Sequence, residues 1–271
     1  MLTDITIGQF FPGNSLLHRL DPRVKILLTL AFVVAVFIPK NWFGLLAAGV
    51  FLVAAIACSG LPLRLITKSL KPILPVIVLT AALNVFYVSR GDVLWAWWIL
   101  KVTSGGLVSA AFLALRIVCL IAGSSLLTYT TGPTTLTDAL ERLMKPLKLV
   151  KVPVHELAMM MTIALRFIPT LIEETDKIMS AQKARGADLE SGGVFKRIKA
   201  LVPILIPLFV SSFSRAYELA TAMECRCYHG GDGRTRMKVL RLAFRDWAAM
   251  IVAAVLVAGM IVLNVFIPPV I

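Results

Sequence analysis

Charge is what this sequence has least of. Only 16% of its 271 residues are Asp, Glu, Lys or Arg, whereas a soluble domain has roughly 25%. With 58% of residues hydrophobic, too little polar surface exists to cover a water-soluble globule of this size. Acidic residues are scarcer than basic ones, 15 against 28, and the formal net charge is +13. No interleaving of aromatic and basic residues suggests nucleic acid, so the excess reads as inner loops facing anionic lipid. The three histidines, His18, His155 and His229, form no His-Glu-x-x-His pair, and no serine elbow or paired intramembrane aspartates occur. Catalytic residues, metal ligands and cofactors are therefore expected to be none. The four cysteines, Cys58, Cys119, Cys225 and Cys227, are not spaced as a disulfide framework. Cys58 and Cys119 fall in apolar runs as packing residues. Cys225, Cys227 and His229 have metal-ligand chemistry but lack an evident fourth ligand. Gly230-Gly231-Asp232-Gly233 lacks the Gly-Lys-Ser/Thr ending of a phosphate loop and reads as a connector. Residues 1–23 lack an apolar core, so no cleavable signal peptide is expected and the first span should direct insertion.

Long apolar runs are what the chain does have. They predict an all-α membrane protein with about five transmembrane helices, at 24–38, 42–58, 72–88, 105–128 and 247–267. Lys25 is expected to snorkel, and Trp42 to sit at an interface. Arg64, Lys68 and Lys71 mark a loop, and 90–101, with Trp95, Trp97 and Trp98, reads as a second loop lying on the outer interface. Arg116 falls inside the fourth span, either in a structural ion pair or a contact with a partner subunit, or snorkelling near a span end. An N-terminus on the inner side leaves only Lys40, Arg90 and Lys101 as basic residues outside, in keeping with the positive-inside rule. The expected domains are an N-terminal membrane part with four spans (1–128), a cytoplasmic coupling region (129–246) and a last span (247–271).

Within the coupling region, Thr135 to Leu149 is amphipathic, with Thr135 and Asp138 spaced as a capping box. Two long runs follow, from about Val154 and about Phe195. Each could reach about 45 Å as a helix. Parts of both are apolar enough to read as spans. Arg166, Pro169, Pro203 and Pro207 interrupt them, and two further crossings would cost Arg185 and Arg226 their symmetric placement on one side. Neither run is therefore counted as a span. Met159, Met160 and Met161 are adaptable packers suited to varied partners, or else ordinary lipid- or core-facing residues. Each run ends in an arginine flanked by two residues of small volume: Ala184-Arg185-Gly186 and Cys225-Arg226-Cys227. Gly186 permits the left-handed turn that ends a helix, and the arginine is then presented at the tip. One such ending is an ordinary helix C-cap. Two copies on similar helices read as plugs for sockets on another protein.

These paired tips resemble those of the transmembrane T component of energy-coupling factor (ECF) transporters, whose pattern is Ala-Arg-Gly. Ala184-Arg185-Gly186 matches in full, and Cys225-Arg226-Cys227 keeps the arginine alone. Pro12-Gly13-Asn14-Ser15 with His18-Arg19-Leu20-Asp21-Pro22-Arg23-Val24-Lys25 is similar to the family's N-terminal signature. Thr130-Thr131-Gly132-Pro133, Leu140-Glu141, Pro146-Leu147 and Arg234-Thr235-Arg236 add to the likeness, which spans nearly the whole chain. The resemblance implies a multi-pass subunit of a bacterial-type cell membrane, with two long helices crossing each other along the inner side, coupling ATP hydrolysis to vitamin or metal-ion uptake without binding ATP. The implied partners are two ABC-type ATPase subunits, docked at the two tips, and one membrane-embedded substrate-binding S component. Its platform would include Met159, Met160, Met161, Leu165, Leu208 and Phe209. A dedicated T component for cobalt, nickel or biotin, a stand-alone secondary carrier and an intramembrane enzyme are the alternatives.

Overall fold

The computed structural model describes residues 10–87, 93–97, 100–187, 193–231 and 240–267. Among them run nine α-helices: α1 (Pro22–Phe37), α2 (Trp42–Ser59), α3 (Leu63–Leu70), α4 (Leu74–Tyr87), α5 (Ser104–Thr130), α6 (Pro133–Leu143), α7 (Val154–Ala184), α8 (Val194–Cys225) and α9 (Phe244–Phe266). One antiparallel hairpin, β1 (Val93–Trp97) with β2 (Leu100–Thr103), leads into α5. It lies where the sequence suggested an interfacial loop; Arg90 and Trp98 lie outside the described residues. The chain divides into two compact units. One comprises Gly8–Leu136 with Lys238–Ile271, and the other is built from Thr137–Met237.

In the first unit α5 is the central post, packing against α1, α2, α3 and α4. Its contact with α1 is close because Gly123 has no side chain: a Cβ there would stand 2.5 Å from the Phe32 ring. Phe32, Ala35, Val36, Leu45, Ala48, Phe112, Cys119, Ala122 and Met260 form the buried core. Large apolar side chains on the opposite faces, such as Val50 and Val53 of α2 and Leu79 and Leu83 of α4, are exposed on the protein and are what a bilayer covers. Among the described residues six helices are long and apolar enough to cross a membrane: α2, the continuous run Leu63–Tyr87, α5, α7, Lys199–Cys225 of α8, and α9. The chain is a multi-pass membrane protein. α1, with 16 residues, is shorter than these and matches the first expected span.

The helix ends explain how this unit is tied. Asp21 is the N-cap of α1: its carboxylate accepts from Arg23 N–H at 2.9 Å and from the Arg23 guanidinium at 2.8 Å, with Pro22 as first helical residue. Asp246, buried in the first turn of α9, accepts from the backbone N–H of Ala243 at 2.7 Å and of Asp21 at 2.8 Å. One carboxylate thus binds the starts of α1 and α9. Lys25 does not snorkel. Its buried ammonium donates to the Thr130 carbonyl at 2.9 Å and the His18 carbonyl at 3.2 Å, because a cation satisfies the orphan carbonyls ending α5 better than exposure would. The same end of α5 receives Phe11 N–H on the Tyr129 carbonyl at 3.0 Å, while the Tyr129 hydroxyl donates to Leu65 of α3 at 3.2 Å. Gly13 lies against the His18 ring, whose Nε2 donates to the Phe11 carbonyl and whose Nδ1 accepts from Ser15, so the N-terminal signature is one knot.

At the other end of α1, Asn41 caps α2 through Gly44 N–H and donates to the Leu263 carbonyl of α9 at 2.9 Å. Arg116 settles here. Its guanidinium donates to the Pro39 carbonyl at 2.7 Å and lies 4.8 Å from the centroid of the Phe112 ring. The expected ion pair is replaced by a carbonyl and an aromatic ring at the α1–α2 turn. Arg64 and Lys68 ride on helix α3 rather than a loop, since Ile66 of that helix is buried in the core. α6 starts at Pro133, two residues before the expected cap, so Thr135 lies inside the helix and its hydroxyl donates to the Gly132 carbonyl at 2.7 Å. The amphipathic stretch also breaks at Leu143 into a short 3-10 turn, Lys145–Val150.

Removing the double cap should be costly. Asp246→Ala is expected to destabilise the detergent-purified protein by about 2–4 kcal/mol, two buried backbone donors losing an ionised acceptor at once. Thermal unfolding followed by circular dichroism checks this, and Asp246→Asn should retain part of the loss through its amide oxygen.

Candidate functional site

The second unit is dominated by α7 and α8, of 31 and 32 residues. They read as one pair of levers because of how they touch. Glu174 of α7 accepts from the Arg215 guanidinium of α8 at 2.8 Å, and Gln182 donates to the Pro203 carbonyl at 3.3 Å. Moving forward along α7 means moving back along α8, so the helices run antiparallel across each other. Pro169 in α7 and Pro203 and Pro207 in α8 are accommodated inside the helices.

Each lever ends in the same backbone motif. At the end of α7, Gly186 N–H donates to the Lys183 carbonyl at 3.0 Å and Ala187 N–H to the Gln182 carbonyl at 2.9 Å, with Gly186 at φ +83°. At the end of α8, Cys227 N–H donates to the Glu224 carbonyl at 2.8 Å and Tyr228 N–H to the Met223 carbonyl at 3.0 Å, with Cys227 at φ +53°. Both are Schellman caps, which satisfy the last carbonyls internally. The arginine of each tip sits one residue before the left-handed turn. Ala184, Arg185, Gly186, Cys225, Arg226 and Cys227 are all exposed, and among the described residues neither guanidinium has a partner. Cys227 takes the backbone role of Gly186 although it carries a Cβ.

The register places the two tips apart. Arg185 is eleven residues beyond Glu174 and Arg226 eleven beyond Arg215. Each arginine therefore stands about 16 Å from the crossing contact, in opposite directions along the pair. The expected platform residues divide the same way. Leu208 and Phe209 lie on the Arg185 side of the contact, and Met159, Met160, Met161 and Leu165 on the Arg226 side. Met160, Met161 and Phe209 are exposed, and Met159, Leu165 and Leu208 are half-buried. They are spread along the pair on both sides of that contact. Val202, Ile206, Phe213 and Tyr217 extend the exposed apolar stripe of α8 around Phe209.

Sequence reading passed over Glu174 and Arg215. The signal was present: opposite charges at the same three-turn distance from the two tip arginines, one of them in an apolar stretch. Elsewhere in the unit, Glu141 pairs with His155 at 3.0 Å, and Gly231 lies hard against the His155 ring. Among the described residues no three His, Cys, Asp or Glu side chains gather as a metal site, Cys225, Cys227 and His229 included. Arg234-Thr235-Arg236 lies outside the described residues.

Because left-handed backbone costs a residue with a Cβ about 1–2 kcal/mol, Cys227→Gly is expected to strengthen the α8 cap by about 1 kcal/mol. Hydrogen exchange should then slow severalfold at Cys227 and Tyr228. Gly186→Ala should do the reverse at the α7 tip.

The sequence has counterparts. Residues 13–238 match the family model CbiQ, described as cobalt transport protein. A protein of Clostridium kluyveri named energy-coupling factor transporter transmembrane protein EcfT is 57% identical over 258 residues, 95% of this chain and 96% of its own length. Proteins of the same name from Thermosediminibacter oceani and Bacillus subtilis are 53% and 46% identical over 260 and 258 residues, covering 96% and 95% of this chain and 98% and 97% of their own lengths. With likeness of that extent over both units, this chain belongs to the CbiQ family, among the EcfT transmembrane components of energy-coupling factor transporters.

Proposed function

We propose that this protein is the coupling subunit of an ECF-type importer, passing an ATPase's movement to a separate substrate-binding membrane subunit. The observation that carries the reading is the pair of identically capped, unpartnered arginines at opposite ends of one crossed helix pair. A guanidinium at a helix tip offers a fork of donors to a carboxylate or to backbone carbonyls. Two tips set apart suit two copies of one ATPase, each with a socket. When ATP draws the ATPases together, the tips follow, and α7 slides on α8 about the Glu174–Arg215 contact, a shear motion. The apolar side chains along the pair would carry that motion to the S component. ATP hydrolysis then belongs to the partners, and this chain supplies neither catalytic group nor cofactor.

Residues 129–246 serve in this reading as the cytoplasmic coupling region between the membrane parts 1–128 and 247–271. α7 and α8, though apolar enough to span, lie along the inner side, and the N-terminus is cytoplasmic, as the distribution of basic residues favours. The imported solute is a vitamin or a metal ion. The description of the matched family favours a second reading, a T component dedicated to cobalt, and the S component that copurifies distinguishes the two.

In the reconstituted complex, Arg185→Ala with Arg226→Ala should uncouple ATP hydrolysis from uptake. Loss of one charge-assisted contact of about 1.5–3 kcal/mol per tip corresponds to a roughly 10- to 150-fold weaker hold on each ATPase. Full substrate-linked hydrolysis in the double variant would end the lever reading. Topology has its own check. With Cys58 and Cys119 replaced by serine, a membrane-impermeant maleimide should label the exposed Cys225 and Cys227 in inverted vesicles and not in right-side-out ones.

A further inference from the structure

α2 and α9 are held together at one end by the Asn41 to Leu263 hydrogen bond. Away from that tie they form facing walls of a cavity of about 510 Å³, floored by α1 and α5. Small residues line part of the hollow, Ala54 and Ala55 from α2, Ala248 and Ala249 from α9 and Gly123 from α5, beside large apolar side chains such as Phe51 and Leu256. Its lining is apolar along nearly the whole length, which makes it no place for water. At one end the character changes. Arg245 lines the mouth, exposed and without a partner among the described residues. Its neighbour Asp246 is turned into the caps of Asp21 and Ala243, and Lys25 is spent on the end of α5, so Arg245 is the charge left facing outward.

Dimensions narrow the occupant. From Arg245 to Val257 the α9 wall runs about 18 Å, close to the roughly 15 Å depth of one leaflet's hydrocarbon. A single extended hydrocarbon chain fits. We propose that this cavity is a lipid site, holding one acyl chain of an anionic glycerophospholipid whose phosphate rests on Arg245. The lipid wedges α2 from α9 where no side chains fill the gap, so the bundle is completed by the bilayer itself.

The full-length chain, stripped of lipid in detergent, can be titrated with dioleoylphosphatidylglycerol and, separately, dioleoylphosphatidylcholine, with bound lipid counted by native mass spectrometry. One phosphatidylglycerol per chain is expected, held about fivefold more tightly than phosphatidylcholine, and Arg245→Gln should remove that preference. Ala249→Phe should abolish retention with helicity unchanged. Ala55→Phe, on the facing wall, serves if the first variant does not fold. Equal affinity for the two lipids, retention undiminished in the filled variants, or oleate binding as tightly as phosphatidylglycerol overturns the proposal. So does an Ala249→Cys thiol that reacts freely in the lipid-replete chain and is blocked only when a second membrane protein copurifies.

Discussion

The ends of helices govern this protein. A helix leaves its first N–H groups and last carbonyls without partners, and in or near a bilayer water does not reliably supply them. The chain answers with a few polar side chains placed at those ends. Asp246 serves the starts of α1 and α9, Lys25 the end of α5, and Asn41 the start of α2 and the end of α9. Because each of these groups joins two elements, satisfying the backbone and fixing the bundle are one act. That is how a chain with so few charges spends them inside a membrane unit.

At the levers the same problem is solved in the opposite way. The Schellman caps of α7 and α8 satisfy their carbonyls with backbone alone and ask nothing of the neighbouring side chains. The arginine at each cap is thereby left unengaged and presented. At the end of α5 a cation closes the helix and is used up; at the ends of α7 and α8 the backbone closes it, and neither arginine has a partner among the described residues. Glu174 with Arg215, and Gln182 on the Pro203 carbonyl, hold the two helices together and so fix where the tips stand.

Much was legible from residue order. The apolar runs announced the spanning helices, and the tip pattern with the N-terminal signature announced the family. The second tip was harder to judge, since Cys227 replaces the glycine that usually marks a left-handed cap. The structure finds the same turn there, because the hydrogen bonds to Glu224 and Met223 depend on the backbone and not on the side chain. Basic residues misled more. Lys25 and Lys68 look alike in sequence, yet one is buried on carbonyls and the other rides an exposed helix face.

The sequence by itself determined where the long apolar helices run, that the chain belongs to a membrane, and where α7 and α8 stop, because hydropathy and capping act over a few neighbouring residues. Tertiary structure decided what those helices do to one another. That Asp246 would meet Asp21, that Arg116 would find the Pro39 carbonyl, and that Glu174 would pair with Arg215 and set the tips at opposite ends all depend on groups far apart in the chain. Pattern along the chain carries no information about which distant partner a polar group will reach; only the packed arrangement brings donor to acceptor.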